Sequence, residues 1–142
     1  MGSKQDCEEL MNAVLPIAES MLRQHGEFYP YAAYMKADRS IVHVAAADHD
    51  TDHPKSRDLL YVLEDSLRQL ARNSECIAVA LVWDVTVDLP ETAVPGDAIQ
   101  LCLEHLDGYS VEVFFPYRIA EGSVVFGESF AQRRVPAVFG ME

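Results

Sequence analysis

Positively charged side chains are scarce in this sequence, and their scarcity narrows the class of partner. The 142 residues include 11 Lys and Arg against 23 Asp and Glu, which leaves a formal net charge of −12 at pH 7. Such a charge repels nucleic-acid phosphates and anionic membrane surfaces unless the chain carries a dense basic patch. The one tight basic pair is Arg133–Arg134. We therefore expect neither nucleic acid nor membrane as a partner. A basic protein partner fits the charge, and solubility alone also explains it.

Cysteines, long apolar runs and nucleotide-binding motifs are also few or missing. Cys7, Cys76 and Cys102 are widely spread and odd in number, which favours reduced thiols and a cytoplasmic location. The longest apolar run, 77–87, is broken by Asp84 and is too short to span a bilayer, and no secretory signal precedes it. Glycine-rich phosphate loops and the Gly-x-Ser-x-Gly motif are absent. We expect no cofactor and assign no catalytic residue.

The length and composition indicate one domain that covers residues 1–142. The chain is 49% hydrophobic and contains seven glycines and seven prolines, which is ordinary globular usage. A chain of this length buries enough surface to fold without a disulfide or metal staple.

Two segments show the apolar spacing of amphipathic helices. The first spans 6–24, with a bend expected at Pro16 and a C-terminal cap at Gly26. The second begins at Pro54 and ends near Asn73. Its apolar stripe consists of Leu59, Leu60, Leu63, Leu67, Leu70 and Ala71.

The remaining segments predict strands joined by hairpins. We expect strands over 28–37, 40–47, 77–87, 98–106, 109–117 and 123–132. The strand over 77–87 is apolar on both faces up to Val82, which indicates a central position in the sheet. The predicted fold is α+β, with an antiparallel sheet of about six strands in the order α-β-β-α-β-β-β-β. Both helices are expected on one face.

The hairpin at Asp107-Gly108 permits a prediction of register. A two-residue turn would mix apolar and polar side chains on each face, whereas a three-residue loop over 106–108 keeps them apart. The three-residue loop pairs Leu103 with Val111 and points His105 toward the core, where a histidine is usually a hydrogen-bonded core residue. It also requires Gly108 to be left-handed.

Several segments together resemble a bacterial family of small cytosolic proteins with no established activity. They are 25–32, 80–85, 97–99 with 103–109, 112–117 and 126–128. The resemblance implies a bacterial, cytoplasmic protein and supplies no catalytic residues.

A loop rich in histidine and aspartate is the candidate metal site. His49, Asp50 and His53 lie in it, and His43 lies on the preceding strand. Imidazole and carboxylate are the ligands that zinc and similar divalent metals take in proteins. The alternative is a polar connector in which Asp52 or His53 caps the second helix.

Two further groups are candidate ligand or interface residues. Tyr29, Tyr31 and Tyr34 form an aromatic stretch that suits a pocket or a dimer seam, and ordinary packing at a sheet edge explains it equally well. Glu104, Glu112 and Phe114 are expected on the sheet face opposite Leu103. The two carboxylates could act in acid–base catalysis, or they could belong to an ordinary acidic, solvent-exposed sheet face. Phe114 is expected to anchor a contact with a partner.

These observations favour a non-enzymatic protein-interaction module of the chaperone, immunity or regulator type. Its partner would be another protein or a second copy of the chain, as a homodimer or other homo-oligomer. The alternatives are a metal-binding protein or small metal-dependent enzyme that uses the loop 48–53, and a small-ligand binder with an aromatic pocket.

Overall fold

A computed structural model describes residues 2–45, 55–89 and 94–139. The helices and strands follow the predicted order up to the C-terminal strand. They are α1 (Ser3–His25), β1 (Tyr31–Met35), β2 (Ile41–Ala45), α2 (Ser56–Arg72), β3 (Ala78–Asp88), β4 (Pro95–His105), β5 (Ser110–Ala120), β6 (Ser123–Phe126) and β7 (Phe130–Arg133). Neither helix in these ranges is long and apolar enough to cross a membrane.

All strands belong to one antiparallel sheet, which confirms the predicted α+β class. The spatial order is β2-β1-β3-β4-β5-β6, with β7 also paired to β5, so the described residues form a sheet of seven strands. The long strands β3 and β4 lie at its centre, as the two-sided apolar pattern of 77–87 predicted. The domain core is built on these two strands.

The predicted register of the β4–β5 hairpin is confirmed. Leu103 pairs with Val111, Leu101 with Val113 and Cys102 with Glu112. The N–H of Gly108 donates to the carbonyl of His105 at 3.0 Å, and Gly108 has a φ of 106°. The left-handed conformation explains why glycine stands at this turn.

The prediction of a single last strand over 123–132 is wrong, because the structure divides this segment into β6 and β7. Both pair with the same side of β5, β6 opposite Tyr117–Ala120 and β7 opposite Val111–Phe114. Between them the register shifts by one residue, from Tyr117 opposite Phe126 to Phe114 opposite Phe130. Pro116 lies opposite this break and has no N–H to donate, so the edge strand bulges there.

The prediction that both helices share one face is not supported by the packing. Leu10, Val14 and Ala18 of α1 pack with Ala80 and Val82. Leu63 and Leu67 of α2 pack with Val79 and Leu81, which are the alternating residues of the same strand. Successive side chains of a strand point to opposite faces, so the helices cover opposite faces of the sheet. This is why the central strand is apolar on both sides.

The segment after β7 lies on the α2 face. Val138 and Phe139 are buried with Leu67 and Cys102. The N–H groups of residues 137–139 donate to the two carboxylate oxygens of Glu104 at 2.9 to 3.0 Å. Glu104 is thereby the attachment point of the C-terminal segment.

Candidate functional site

An open cleft of about 510 Å³ lies beyond the C-terminal end of α1. It is lined by Met21, His25, Glu27, Phe28, Tyr29, Ser56 and Asp84. The helix ends at His25 because Gly26 takes a left-handed conformation, with a φ of 77°, and its N–H donates to the carbonyl of Leu22 at 2.8 Å. The chain then turns away, and the α1 face of β3 becomes accessible at Asp84. We call this cavity the Asp84 cleft.

Asp84 is a half-buried acid on the central strand β3, where it follows an apolar stretch from Ala78 to Trp83. The hydroxyl of Tyr117 donates to its Oδ1 atom at 2.6 Å. Burial raises the pKa of Asp84, as do the negative charges of Asp97 and Glu27, whereas the hydrogen bond from Tyr117 lowers the pKa and only partly offsets them. The carboxyl is therefore held in place by one hydrogen bond but lacks a cation to balance its charge within the described residues.

The surroundings of Asp84 carry further negative potential. Burial raises the pKa of Tyr117, and so do its hydrogen bond to Asp84 and the charges of Asp84 and Asp97. The phenol therefore stays protonated at neutral pH and acts as a donor to Asp84. The C-terminal end of α1 also points its partial negative charge toward this region. A positively charged group entering the cleft would meet a favourable field from all these sources.

Aromatic and apolar side chains form the rest of the wall. Tyr29 is 50% exposed, whereas Phe28 is buried and packs edge to face on Tyr31 with ring centroids 5.8 Å apart. Met21 at the end of α1 adds a flexible apolar side chain. The cleft thus combines a carboxylate with an apolar, aromatic surface.

The structure does not assemble the predicted pocket of Tyr29, Tyr31 and Tyr34. Only Tyr29 lines the cleft. Tyr31 is buried on the α1 face and its hydroxyl donates to the carbonyl of Val14. Tyr34 lies three residues further along β1 and packs on the α2 face, because an odd spacing in a strand reverses the side of the sheet.

Glu104, Glu112 and Phe114 share the α2 face, as predicted, but each is used within the chain. Glu104 is 3% exposed and holds the backbone of residues 137–139, so it is neither free for acid–base work nor part of an exposed face. Glu112 accepts from the side-chain amides of Gln100 and Gln132. Phe114 is buried and stacks on Phe130 at 4.9 Å between centroids, so it offers no anchor to a partner.

The candidate metal site falls mostly outside the described residues. His49, Asp50 and His53 lie there, as do Asp52 and the start that was predicted for the second helix. His43 is described, on β2, with an exposed side chain. Within the described ranges, no group of three or more His, Cys, Asp or Glu side chains is placed to hold a metal ion.

A second polar cluster, centred on Asp6, connects three parts of the fold. The buried Asp6 carboxylate accepts from Arg39 Nε at 3.1 Å and contacts His105 Nε2 at 2.9 Å. The backbone N–H of Asp107 donates to His105 Nδ1, which places the ring proton on Nε2 facing Asp6. Burial works to raise the pKa of Asp6, but the bonds from His105 and Arg39 outweigh it and lower the pKa. The predicted inward position of His105 is confirmed.

The three cysteines are buried free thiols. Burial, with nearby carboxylates, raises the pKa of Cys7 to about 12 and that of Cys76 to about 11. Burial likewise raises the pKa of Cys102 to about 12. Thiols this weakly acidic are poor nucleophiles. Cys7 lies beside Asp6 in the chain, but we interpret it as a core residue and not as a catalytic nucleophile.

Sequence reasoning missed Asp84 and Tyr117 as site residues. In the sequence Asp84 interrupts an apolar run. The available signal was an aspartate in the middle of a central strand, where an unpaired charge is costly. Tyr117 is 33 positions away, and only the β3-β4-β5 register brings it to Asp84.

Comparisons of the chain with protein-family models, curated proteins and solved structures found no match. The family resemblance of segments such as 25–32 and 112–117 remains a prediction. Three of its segments meet at one place in the fold, because His25 to Tyr29, Asp84 and Tyr117 all lie in or beside the Asp84 cleft.

Proposed function

We propose that the protein is a non-enzymatic binding module and that the Asp84 cleft binds an organic cation, a guanidinium or alkylammonium group. The observation that carries the proposal is the half-buried Asp84 carboxyl, which faces a cleft and has no cationic partner among the described residues. An acid in a cleft whose pKa is raised by burial and by neighbouring charges is a candidate functional group. A bound cation would neutralise the charge that the fold leaves unbalanced.

The chemistry of the walls favours a cation with an apolar body. Tyr29 and Phe28 present aromatic surface, and aromatic faces attract ammonium and guanidinium groups. The volume of about 510 Å³ falls within the usual range for small-molecule sites. Glu27 at the rim adds a second carboxylate that would steer a cation inward.

The protonation state of Tyr117 favours cation binding over acid–base catalysis as the role of the cleft. Its raised pKa keeps the phenol protonated, and the phenol donates to Asp84 at 2.6 Å. A donor that orients a carboxylate prepares it to accept from a ligand on its other oxygen. The described lining adds no buried nucleophile to this pair.

The same cationic group can arrive as a free amine or as a lysine or arginine side chain of a protein partner. A partner protein would make the molecule an interaction module, consistent with the net charge of −12. Calorimetric titrations distinguish the two sources. One series uses butylguanidinium and butylammonium, and another uses the blocked tripeptides Gly-Arg-Gly and Gly-Lys-Gly. Butanol serves as the neutral control ligand.

Asp84→Asn is the decisive variant, because it keeps an acceptor for Tyr117 and removes the charge. We expect it to weaken cation binding about ten-fold to one hundred-fold, the range for a charge-assisted hydrogen bond. Asp88→Asn is the matched control, since Asp88 is an exposed acid on the same strand and the same face of β3. It removes an equal charge outside the cleft and should change affinity less than two-fold.

The outcomes separate the possibilities. Binding of the free cations alone indicates a small-molecule ligand, and binding of the peptides alone indicates a basic protein partner. If neither series binds, or if Asp88→Asn weakens binding as much as Asp84→Asn, the proposal is wrong.

A further inference from the structure

The outer edge of the sheet formed by β6 and β7 has no partner strand in the part of the chain that the structure describes. We call the outward side of Ser123–Phe126 and Phe130–Arg133 the β6–β7 edge. Most of its residues are exposed. An edge strand presents unpaired N–H and C=O groups, so it is a ready template for another strand.

Exposed apolar side chains are concentrated beside this edge. Ile119 is 43% exposed, Val125 38%, Phe126 37% and Val135 84%. They are four of the nine large apolar side chains that are exposed among the described residues. The opposite edge, β2, contributes none to that set. Covering these side chains would remove apolar surface from water.

The charge around the edge differs from that of the whole molecule. Residues 110–139 contain three arginines and three glutamates, whereas the complete chain has a net charge of −12. Two copies of an acidic protein repel each other least where their surfaces are neutral. The β6–β7 edge is therefore the region where a second copy can approach.

The charged residues are ordered along the β6–β7 edge so that the edges of two copies can complement each other. Glu121 precedes β6 at one end, and Arg133 with Arg134 closes β7 at the other end. When two such edges pair antiparallel across a two-fold axis, Glu121 of each copy meets the Arg133–Arg134 end of the other. Two such contacts form in each dimer, because a two-fold interface repeats every contact.

We propose that the β6–β7 edge is the interface between two copies of this chain, which join their sheets antiparallel around a two-fold axis. The bulge at residues 127–129 lies between β6 and β7, so β6 of one copy lies beside β7 of the other. Bulges and charges on an edge normally oppose indiscriminate pairing. In the alignment proposed here, Glu121 of each copy lies opposite the Arg133–Arg134 end of the other.

A charge-reversal cycle tests the proposal, with solution mass measured by light scattering during size exclusion at several concentrations. We expect the wild-type protein to form a dimer. Glu121→Arg and Arg133→Glu should each weaken it about ten-fold, because each variant sets like charges against each other twice. The double variant E121R/R133E should restore the dimer. The two residues lie at opposite ends of one edge, so the rescue requires contact between copies.

A second pair of variants tests the apolar part of the interface. Phe126→Lys should give a monomer, whereas Tyr61→Lys, at an exposed aromatic position on α2, should leave the dimer intact. A monomeric wild type at all concentrations would overturn the proposal, as would a dimer that the single reversals do not weaken. None of these residues lines the Asp84 cleft, so failure here leaves the cation-binding proposal standing, and the reverse also holds.

Discussion

At the scale of single residues, the buried carboxylate of Asp6 and the half-buried carboxylate of Asp84 make contributions to stability that depend on pH in opposite directions. Asp6 has a lowered pKa because hydrogen bonds from His105 and Arg39 overcome the effect of burial. Asp84 has a raised pKa because burial and two neighbouring acids overcome the hydrogen bond from Tyr117. Asp6 therefore contributes stability that is lost as the pH falls through its folded pKa. Asp84 destabilises the fold once it is ionised.

The first stability prediction follows for Asp84→Asn. The raised pKa means that the folded state binds a proton more tightly than the unfolded state, so the Asp84 contribution to stability falls as the pH rises through that window. We expect the asparagine variant to be at least as stable as the wild type at pH 7. The difference should shrink as the pH is lowered and wild-type Asp84 becomes protonated. Urea unfolding at several pH values measures it.

Asp88→Asn is the control for this prediction, because Asp88 is exposed on the same strand. Its effect on stability should be small at every pH. A loss of stability at pH 7 in Asp84→Asn would show that the carboxylate serves the fold rather than a ligand. Such a result would contradict the functional interpretation of Asp84.

The contacts of single residues were the feature that the sequence predicted least well. The alternation of apolar residues predicted that Glu104 and Glu112 share a face, and they do. It did not predict that Glu104 would be buried, because the segment that covers it is 33 to 35 positions away. Long-range contacts of this kind leave no local pattern in a single sequence.

At the scale of elements, the buried stripe of α2 was predictable from its spacing. Leu63 and Leu67 are 1% and 0% exposed, and both pack on the α2 face of β3. We expect Leu67→Ala to lower the free energy of unfolding by about 2–5 kcal/mol, since it removes a buried side chain and leaves a cavity. Tyr61→Ala on the exposed side of the same helix should change it by less than about 0.5 kcal/mol. Chemical unfolding of both variants gives the comparison, and similar losses in the two would contradict the assigned face.

The C-terminal segment supplies a second prediction at this scale. Glu104→Gln removes the negative charge that three backbone N–H groups share, so it should destabilise the fold by about 1–3 kcal/mol. It should also increase hydrogen exchange at residues 137–139 specifically. Glu112→Gln, on the same face of the neighbouring strand, is the control and should leave exchange there unchanged. Uniform exchange changes across the sheet in Glu104→Gln would contradict the role of Glu104 as a local attachment point.

The sequence predicted the helices and the sheet, but not which face of the sheet each helix covers. Hairpins predicted the antiparallel sheet, and separation of apolar from polar residues predicted the β4–β5 register. The strand over 77–87 is apolar on both sides up to Val82, and that pattern indicates cover on both faces of the sheet. The expectation that both helices share one face does not follow from this pattern. Pro30 and Pro116 interrupt strand patterns and predict edge positions or bulges, and the break in the edge strand lies opposite Pro116.

At the scale of the whole molecule, the excess of acidic residues bears on both proposals, the cation site in the Asp84 cleft and the dimer at the β6–β7 edge. The net charge of −12 favours cationic ligands at the Asp84 cleft, and the neutral stretch 110–139 gives a second copy a place to approach. Raising the salt concentration screens the attraction of the cleft for a cation. In the dimer it screens both the overall repulsion between copies and the attraction between Glu121 and Arg133. Cation affinity should therefore fall with salt, whereas the dimer should respond less.

The most direct test of the central claim is a titration of isotope-labelled protein with butylguanidinium, followed by two-dimensional amide NMR spectra. If the cleft is the binding site, the shifts should change with ligand concentration at residues 21–29 and around Ser56 and Asp84, and in Asp84→Asn the same changes should require about ten-fold to one hundred-fold more ligand. Shifts confined to other surfaces, or changes that persist unaltered in Asp84→Asn, would contradict the assignment of this cleft as a cation-binding site.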